Sequence, residues 1–278
     1  MPADVRILRD VPYIASASAS QTLDVYWRPD GEPRALLLWI HGGGWMTGDK
    51  ANCDAARSAL VDGYALASIN YRLSDEATFP AQLHDCRAAV RWMRRNAAAY
   101  NVDADRIGAW GSSAGGHLAA LLGTASGSLR EGDSSSDAVS DGVQAVCDWF
   151  GPTDFLRMND EPGAMDHDAA DSPESRLVGG PIRECLDRVS AANPATYVTA
   201  ASPPFLLVHG ADDRLVLPSQ SAMLHDALTE AGVTSELVVI AGADHGFGAE
   251  HIDAVMSSTR AFFRCHLRPV LACHRFPR

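Results

Sequence analysis

The apolar residues of this chain fall into two kinds of run: short continuous runs, and longer runs with a spacing of three to four residues. The segment Ala35–Ile40 is continuous and ends at a glycine cluster. A run of this length between turn residues predicts a strand that is buried on both faces. A periodic run follows Pro80 and predicts a long helix, because its apolar positions share one helix face. These positions are Leu83, Cys86, Val90, Met93 and Ala97.

The same patterns along the whole chain predict eight strands that alternate with helices. The predicted strands are Val5–Leu8, Leu23–Trp27, Ala35–Ile40, Ala65–Ile69, Arg106–Trp110, Val143–Phe150, Phe205–Val208 and Leu237–Ile240. The predicted helices are Ala51–Asp62, the helix that begins at Pro80, His117–Leu122, Ser219–Ala231 and Ile252–Phe263. Ser219 is predicted to be the N-cap of its helix, and Gly232 follows the end of that helix. Alternating strands and helices imply an α/β fold, with a mostly parallel sheet covered by helices on both faces.

Two segments lack either pattern. Residues 126–142 are rich in Ser, Asp and Gly and predict a surface loop. Residues 151–202 contain many Pro, Gly and Asp residues and only short helical patches. We expect them to form an irregular insertion after the sixth strand, lying over one edge of the sheet and over the site. Since α/β folds are often long, we expect residues 1–278 to form one domain.

Composition and charge exclude several classes of protein. The 278 residues are 46% hydrophobic and 21% charged, which is typical of a globular chain and not of a disordered or fibrous one. The net charge of −12 disfavours nucleic acid and anionic membranes as partners. No stretch approaches the roughly 20 apolar residues of a membrane-spanning helix. The first residues do not resemble a secretory signal, so the sequence predicts a cytoplasmic protein.

Cysteine and histidine spacing gives no sign of a metal or a disulfide framework. Six cysteines in so long a chain, without a CxxC pair, favour buried thiols over structural zinc. Burial is expected for Cys53, Cys86, Cys147 and Cys185, whereas Cys265 and Cys273 lie in a basic tail. No cluster of His, Asp and Glu has metal-ligand spacing, so we predict no catalytic metal and no cofactor.

The motif Gly111-x-Ser113-x-Gly115 carries the clearest chemistry. It follows a predicted strand and opens a predicted helix, which is the context that this common motif needs. A turn this tight leaves no room for side chains on either side of the serine. The turn exposes Ser113 near a helix N-terminus, where negative charge is favoured. Ser113 is therefore predicted to be a nucleophile, whereas Ser112 is not at the apex of the turn.

A second glycine motif, HGGGW at 41–45, directly follows a predicted strand. Three consecutive glycines are costly, so they indicate a need for bare backbone. We predict an oxyanion hole formed by the N–H groups of Gly43, Gly44 and Ala114. A phosphate-binding loop is disfavoured, because neither nucleotide-binding glycine pattern is present.

A serine nucleophile needs a base, and the base needs an acid that orients it. In this class of fold the order along the chain is serine, acid, histidine. His245 follows the last predicted strand in a loop flanked by glycines. Asp212 and Asp213 both follow the preceding strand. Consecutive side chains in an extended loop point in opposite directions, so only one of the two should face His245, and the other can cap the turn.

The other histidines fit a base less well. His225 lies inside a helix, His251 begins one, His266 lies on an apolar helix face and His274 is in the tail. His41 and His209 end buried strands, where structural hydrogen bonds are expected, and His117 is expected to pack within its helix. His84 and His167 are expected on the surface or in the insertion.

Substrate contacts are predicted for aromatic residues beside these motifs. Trp45 adjoins the predicted oxyanion hole, and Trp149 and Phe150 follow a strand end. Each could line the acyl or alcohol pocket. Ordinary packing in the core is the alternative for Trp149 and Phe150.

The motifs together resemble the bifunctional feruloyl and acetyl-xylan esterase (BD-FAE) family of α/β-hydrolase serine esterases. The matching segments are LDVY at 23–26, HGGGW at 41–45, NYRL at 70–73, RIGAWGSSAGGH at 106–117, DSPESRLVGG at 171–180, Asp213 and HGF at 245–247. The resemblance implies an α/β-hydrolase fold with Ser113 as nucleophile, Asp213 as acid and His245 as base. The implied activity is hydrolysis of short-acyl esters, of acetyl or feruloyl type, on small molecules or oligosaccharides.

Other functions remain open from sequence alone. Hormone-sensitive-lipase-like esterases are similar in the HGGG loop but usually carry a helical N-terminal cap. Prolyl-oligopeptidase-like peptidases share a similar catalytic domain, and kynurenine formamidase-like amide hydrolases resemble the chain around HGGxW. A binding protein without catalysis is disfavoured, because all three triad residues are present.

Overall fold

The computed structural model describes residues 2, 4–15, 18–129 and 139–267. Most of the predicted loop 126–142, as well as Cys273 and His274, lies outside these residues. The strands are β1 Arg6–Pro12, β2 Thr22–Trp27, β3 Arg34–Ile40, β4 Ala65–Ile69, β5 Val102–Ser112, β6 Ala145–Trp149, β7 Phe205–Gly210 and β8 Ser235–Ile240. The α-helices are α1 Asp54–Ser58, α2 Ala81–Arg95, α3 Ala114–Thr124, α4 Pro173–Val178, α5 Leu186–Ala192, α6 Ser219–Glu230 and α7 Ile252–His266.

All eight strands belong to one sheet with the order β1-β2-β4-β3-β5-β6-β7-β8. β2 runs antiparallel to both of its neighbours, β1 and β4, and every pairing from β4 to β8 is parallel. The prediction of a mostly parallel sheet is thereby confirmed. Because parallel strands all end at the same edge, the loops after β3, β5, β7 and β8 meet there.

Alternation along β3 shows why the sheet is covered on both faces. Leu36 and Leu38 belong to a core layer with residues of α2, α3 and α6. Leu37 and Trp39 belong to a second layer with residues of α1 and α7. Both layers are apolar, so the strand reads as a continuous apolar run and not as an alternating one.

Several local predictions need correction. Ser219 is the first helical residue of α6 and not its N-cap, which is Pro218. His84 is buried and not on the surface, and its ring bonds the Leu129 carbonyl. His167 lies in the insertion, as expected, and is buried there against the Leu215 carbonyl. Segment 151–202 does contain only short helices, including α4 and α5.

The cysteines of the described residues follow the prediction. The four expected to be buried are buried, and all five described cysteines are free thiols. Cys265 is exposed on α7.

Candidate active site

Ser113 lies on a sharp turn between β5 and α3. Its φ of 55° and ψ of −123° are unusual for a residue with a side chain, and such strain costs on the order of 1–3 kcal/mol. A Cβ at Gly111 would lie 2.1 Å from the Gly115 carbonyl oxygen, and a Cβ at Gly115 would lie 2.0 Å from that of Ile40. Both flanking positions therefore require glycine. The Ser113 N–H donates to the Trp149 carbonyl at 2.8 Å, which ties the turn to the end of β6.

Three side chains meet at the carboxyl edge of the sheet. His245 Nε2 lies 3.1 Å from the Ser113 hydroxyl oxygen, and His245 Nδ1 lies 2.7 Å from Asp213 Oδ2. They come from the loops after β5, β7 and β8. This is the arrangement in which a histidine can take the proton of a serine hydroxyl while a carboxylate orients its ring.

Asp213 is 1% exposed and accepts hydrogen bonds at both oxygens. The N–H groups of Leu215 and Val216 donate to Oδ1 at 2.9 and 3.0 Å. Oδ2 lies 2.7 Å from His245 Nδ1 and 3.2 Å from His209 Nε2. Burial alone would raise the pKa of Asp213. The bonds from His209, His245 and the backbone outweigh burial and hold that pKa well below its usual range.

The neighbouring Asp212 is exposed. Its N–H donates to the Ala243 carbonyl at 2.8 Å, which fixes the loop beside the one that carries His245. Of the two candidate acids, the structure thus brings Asp213 to the histidine and leaves Asp212 in solvent.

The glycine loop at 41–45 packs against the turn that carries Ser113. A Cβ at Gly42 would lie 3.3 Å from the Ser113 Cβ. Gly43 has φ of +112°, and a Cβ there would lie 2.2 Å from the Thr47 carbonyl oxygen. Among the described residues, none accepts a hydrogen bond from the N–H of Gly43, Gly44 or Ala114. These are the three donors that the sequence assigns to an oxyanion hole.

Two of the three aromatic residues expected to touch substrate lie in the core. Trp45 is 1% exposed, and its ring packs against His117 and Phe155 at 5.1 and 5.5 Å between centroids. Trp149 is 3% exposed and donates from Nε1 to the Thr259 hydroxyl at 3.1 Å. For Trp149 this is the core packing that the sequence left open as the alternative. For Trp45, burial corrects the expectation of a pocket-lining ring.

Phe150 packs against the ring of His245. The two rings pack with centroids 4.5 Å apart. The Phe150 ring also lies edge to face with the His209 ring, with centroids 6.4 Å apart. With 5% of its surface exposed, Phe150 forms a wall behind the histidine rather than an open surface.

Asp148 is a buried acid that lies outside the sequence motifs of the site. It lies in β6, within the otherwise apolar run Ala145–Trp149, and that charge in an apolar strand was the available signal. Its Oδ1 accepts the Gly151 N–H at 2.9 Å and lies 2.1 Å from where a Cβ of Gly116 would be. Its Oδ2 has no partner among the described residues. Burial raises the pKa of Asp148 to about 7.

A second buried pair joins the insertion to the loop of Asp213. His167 Nδ1 lies 3.1 Å from Glu174 Oε1, and its Nε2 lies 2.9 Å from the Leu215 carbonyl oxygen. Burial works against protonation of His167, but the Glu174 carboxylate outweighs burial and raises the pKa of the histidine. The sequence signal was the DSPES motif, which contains Glu174 and begins α4.

A cavity of about 330 Å³ adjoins the glycine loop, between that loop and α4. Four of its six lining residues have polar side chains: Met46, Ser74, Asp75, Thr78, Arg176 and Gly179 line it. Pro173 of α4 lies 3.3 Å from where a Cβ of Gly44 would be, so α4 closes one side of the glycine loop.

The described residues offer neither a metal-binding cluster nor a membrane-spanning helix. No group of three or more His, Cys, Asp or Glu side chains there could hold a metal ion. No helix in that part of the chain is both long and apolar enough to cross a membrane.

Known proteins with similar sequences and structures are esterases. Esterase LipQ of Mycobacterium tuberculosis is 32% identical over 250 residues, which cover 86% of this chain and 56% of LipQ. This chain therefore spans little more than half the length of that relative. A truncated form of a carbohydrate esterase from gut microbiota has a TM-score of 0.84 and 30% identity, covering 94% of this chain and 96% of that one. The bifunctional GH43-CE protein of Bacteroides eggerthii has a TM-score of 0.85 and 33% identity, covering 94% and 38% respectively.

These likenesses confirm the α/β-hydrolase fold that the sequence resemblance implies. The family model described as BD-FAE matches residues 23–228, which include Ser113, Asp213 and the whole glycine loop. The chain belongs to the BD-FAE family.

Proposed function

We propose that this chain is a serine carboxylesterase that hydrolyses short-acyl esters of carbohydrates through an acyl-enzyme on Ser113. The observation that carries the proposal is the pair of contacts at His245, 3.1 Å to Ser113 and 2.7 Å to Asp213. Membership of the BD-FAE family and the esterase names of its relatives support it.

In the first half of the reaction, His245 Nε2 takes the proton of Ser113 Oγ as that oxygen attacks the ester carbonyl. Asp213 accepts the His245 Nδ1–H, which holds the ring in the tautomer that leaves Nε2 free and stabilises the charged imidazolium. The carbonyl oxygen becomes negative and accepts from the N–H groups of Gly43, Gly44 and Ala114. The ester bond breaks, and the alcohol leaves with the proton from His245.

In the second half, water takes the place of the alcohol. His245 removes a proton from water as the water oxygen attacks the acyl carbon of the Ser113 ester. The same N–H groups hold the second tetrahedral oxyanion. The bond to Ser113 Oγ breaks, the proton returns to that oxygen, and the carboxylic acid leaves.

The cavity beside the glycine loop supports a sugar as the leaving alcohol. The residues that line it include Ser74 and Thr78, which have hydroxyls, and Asp75 and Arg176, which have a carboxylate and a guanidinium. Mixed donors and acceptors of this kind suit an alcohol with several hydroxyl groups more than an apolar one. The acetyl or feruloyl identity of the acyl group rests on the family resemblance.

The test compares the purified protein with its Ser113→Ala variant on p-nitrophenyl esters of increasing acyl length, on acetylated xylo-oligosaccharides and on methyl ferulate. We expect the acetyl and other short esters to be the best substrates. Ser113→Ala should lower kcat by about 10⁶, since alanine fits the turn but has no nucleophile. More than 1% residual activity in a pure sample would contradict the assignment of Ser113. Faster cleavage of a proline anilide or an N-formyl anilide would replace the esterase proposal with a peptidase or amide hydrolase.

A further inference from the structure

His209 is a second histidine beside the proposed triad, and the mechanism above gives it no role. It lies in β7, four residues before Asp213, and is 0% exposed. Its Nε2 lies 2.7 Å from the Val216 carbonyl oxygen and 3.2 Å from Asp213 Oδ2. Its Nδ1 lies 2.7 Å from the Ser221 hydroxyl oxygen. Both ring nitrogens are thus engaged.

The neighbours of His209 determine where its proton lies. A carbonyl oxygen and a carboxylate oxygen only accept hydrogen bonds, so Nε2 must carry a proton and donate to Val216 and Asp213. A hydroxyl can donate, so Ser221 can satisfy an unprotonated Nδ1. The neutral ring with its proton on Nε2 therefore satisfies every neighbour at once.

We propose that His209 is a positioning residue, whose Nε2–H holds the carboxylate of Asp213 in the orientation that serves His245. This inference rests on the proposed function. Asp213 Oδ2 receives two histidine N–H donors, one from each side. Oδ1 is held by the backbone of Leu215 and Val216. The contact to Ser221 continues the chain of hydrogen bonds from Ser113 into α6.

Among the described residues, two side chains donate to Asp213: those of His245 and His209. Arg214 is exposed and donates to the Pro162 carbonyl at 3.3 Å. Asp212 faces solvent, and His167 reaches this loop only at the Leu215 carbonyl. Within the described part of the chain, removal of the Nε2–H of His209 leaves His245 as the only side-chain donor to Asp213.

A matched pair of substitutions separates positioning from packing. The amide nitrogen of glutamine can take the place of Nε2, whereas the shorter asparagine amide reaches the place of Nδ1. His209→Gln therefore keeps a donor for Asp213, and His209→Asn keeps only a partner for Ser221. We expect His209→Asn to lower kcat on p-nitrophenyl acetate by about 10- to 100-fold, the loss expected for one hydrogen bond to a charged group. KM should stay within about twofold, because the substrate contacts are unchanged.

The pH profile gives a second readout that packing alone would not move. With one donor fewer, Asp213 attracts the proton on His245 more strongly. The acid limb of kcat/KM should therefore move to higher pH in His209→Asn. His209→Gln should recover kcat to within about fivefold of the parent and keep the parent profile. Thermal melting of both variants serves as the folding control.

Two kinetic results would overturn the inference: equal activity of the asparagine and glutamine variants, or an unmoved acid limb of kcat/KM in His209→Asn.

A substrate-free measurement separates this inference from the proposed function. The low-field NMR signal of the proton between His245 Nδ1 and Asp213 should shift in His209→Asn and stay in His209→Gln. If the parent hydrolyses no ester, the proposed function fails, and this signal still decides the role of His209. If the two variants shift the signal equally, His209 has no positioning role.

Discussion

Asp148 lies near the end of β6, Asp213 lies three residues after the end of the neighbouring strand β7, and each is 1% exposed. Their acidities nevertheless move in opposite directions. Burial raises the pKa of Asp148 to about 7. Burial also acts on Asp213, but hydrogen bonds from His209, His245 and the backbone hold its pKa well below the usual range.

The difference lies in the donors around each carboxyl group. Asp213 has two backbone donors on one oxygen and two histidines on the other. Asp148 has one backbone donor on Oδ1 and none on Oδ2 among the described residues. Burial destabilises a charged carboxylate, and the number of hydrogen-bond donors around it decides whether that loss is offset. Asp213 is thereby held as a carboxylate that can stabilise an imidazolium, whereas the surroundings of Asp148 favour its neutral, protonated form.

The largest expected effect comes from Asp213→Asn. The asparagine keeps the shape of the acid but favours the wrong tautomer of His245, so kcat should fall by about 10⁴. Steady-state kinetics on p-nitrophenyl acetate measure it.

Two further aspartates serve as controls for that variant. Asp212 is exposed, so Asp212→Asn should lower kcat by less than about tenfold. Asp148 touches no reacting atom, so the same limit is expected for Asp148→Asn. A large loss of kcat in Asp212→Asn would show that Asp212, and not Asp213, is the acid of the triad. If all three variants stay active, the acid comes from elsewhere in the chain.

The next effect concerns stability and pH. The folded chain keeps the Asp148 proton up to about pH 7, whereas the unfolded chain releases it near pH 4. Between these values the folded state binds more protons, so the contribution of Asp148 to stability falls as the pH rises. Asp148→Asn keeps an acceptor for Gly151 without this titration. From pH 5 to pH 8 its Tm should gain on the order of 5 °C relative to the parent.

Parallel Tm curves for the two proteins over this range would show that Asp148 does not titrate there. Asp212→Asn is the matched control, because that carboxyl group is exposed and its replacement should leave the curve unchanged.

The smallest effect tests the packing of Phe150 against His245. Phe150 follows β6 and packs against His245. Phe150→Leu leaves the histidine ring more freedom, which should lower kcat by about threefold. Trp149→Phe is the control: it removes the bond to Thr259 in the core and should lower Tm with little change in kcat. The reverse pattern would place Trp149, and not Phe150, at the site.

The sequence predicts the parts of this site that depend on close backbone approach. Gly111 and Gly115 can be recognised because any side chain there would collide with backbone, so the spacing itself reports the turn. Gly43 is readable for the same reason. Local geometry also shows that only one of Asp212 and Asp213 can face His245, and the resemblance to the BD-FAE family selects Asp213.

Other features depend on contacts between distant segments, which spacing does not report. Trp45 and Trp149 adjoin the right motifs, but both sides of this sheet are apolar, so their positions do not reveal whether they face core or substrate. His167 bonds a carbonyl 48 residues away, and no local pattern marks it as buried. The second donor on Asp213 is harder still to foresee, because His209 also makes the ordinary structural hydrogen bonds that the sequence predicts.

The strand order has a consequence for how this protein loses activity on heating. β8 is the outermost strand and pairs only with β7, yet the loop after it carries His245. Edge elements open at a lower free-energy cost than the centre of a sheet. Fraying of this one strand would carry His245 away from Ser113 and Asp213 while the other six strand pairings and both core layers stay intact. Inactivation would then be reversible and would precede global melting, with amide exchange along residues 235–240 as its signature.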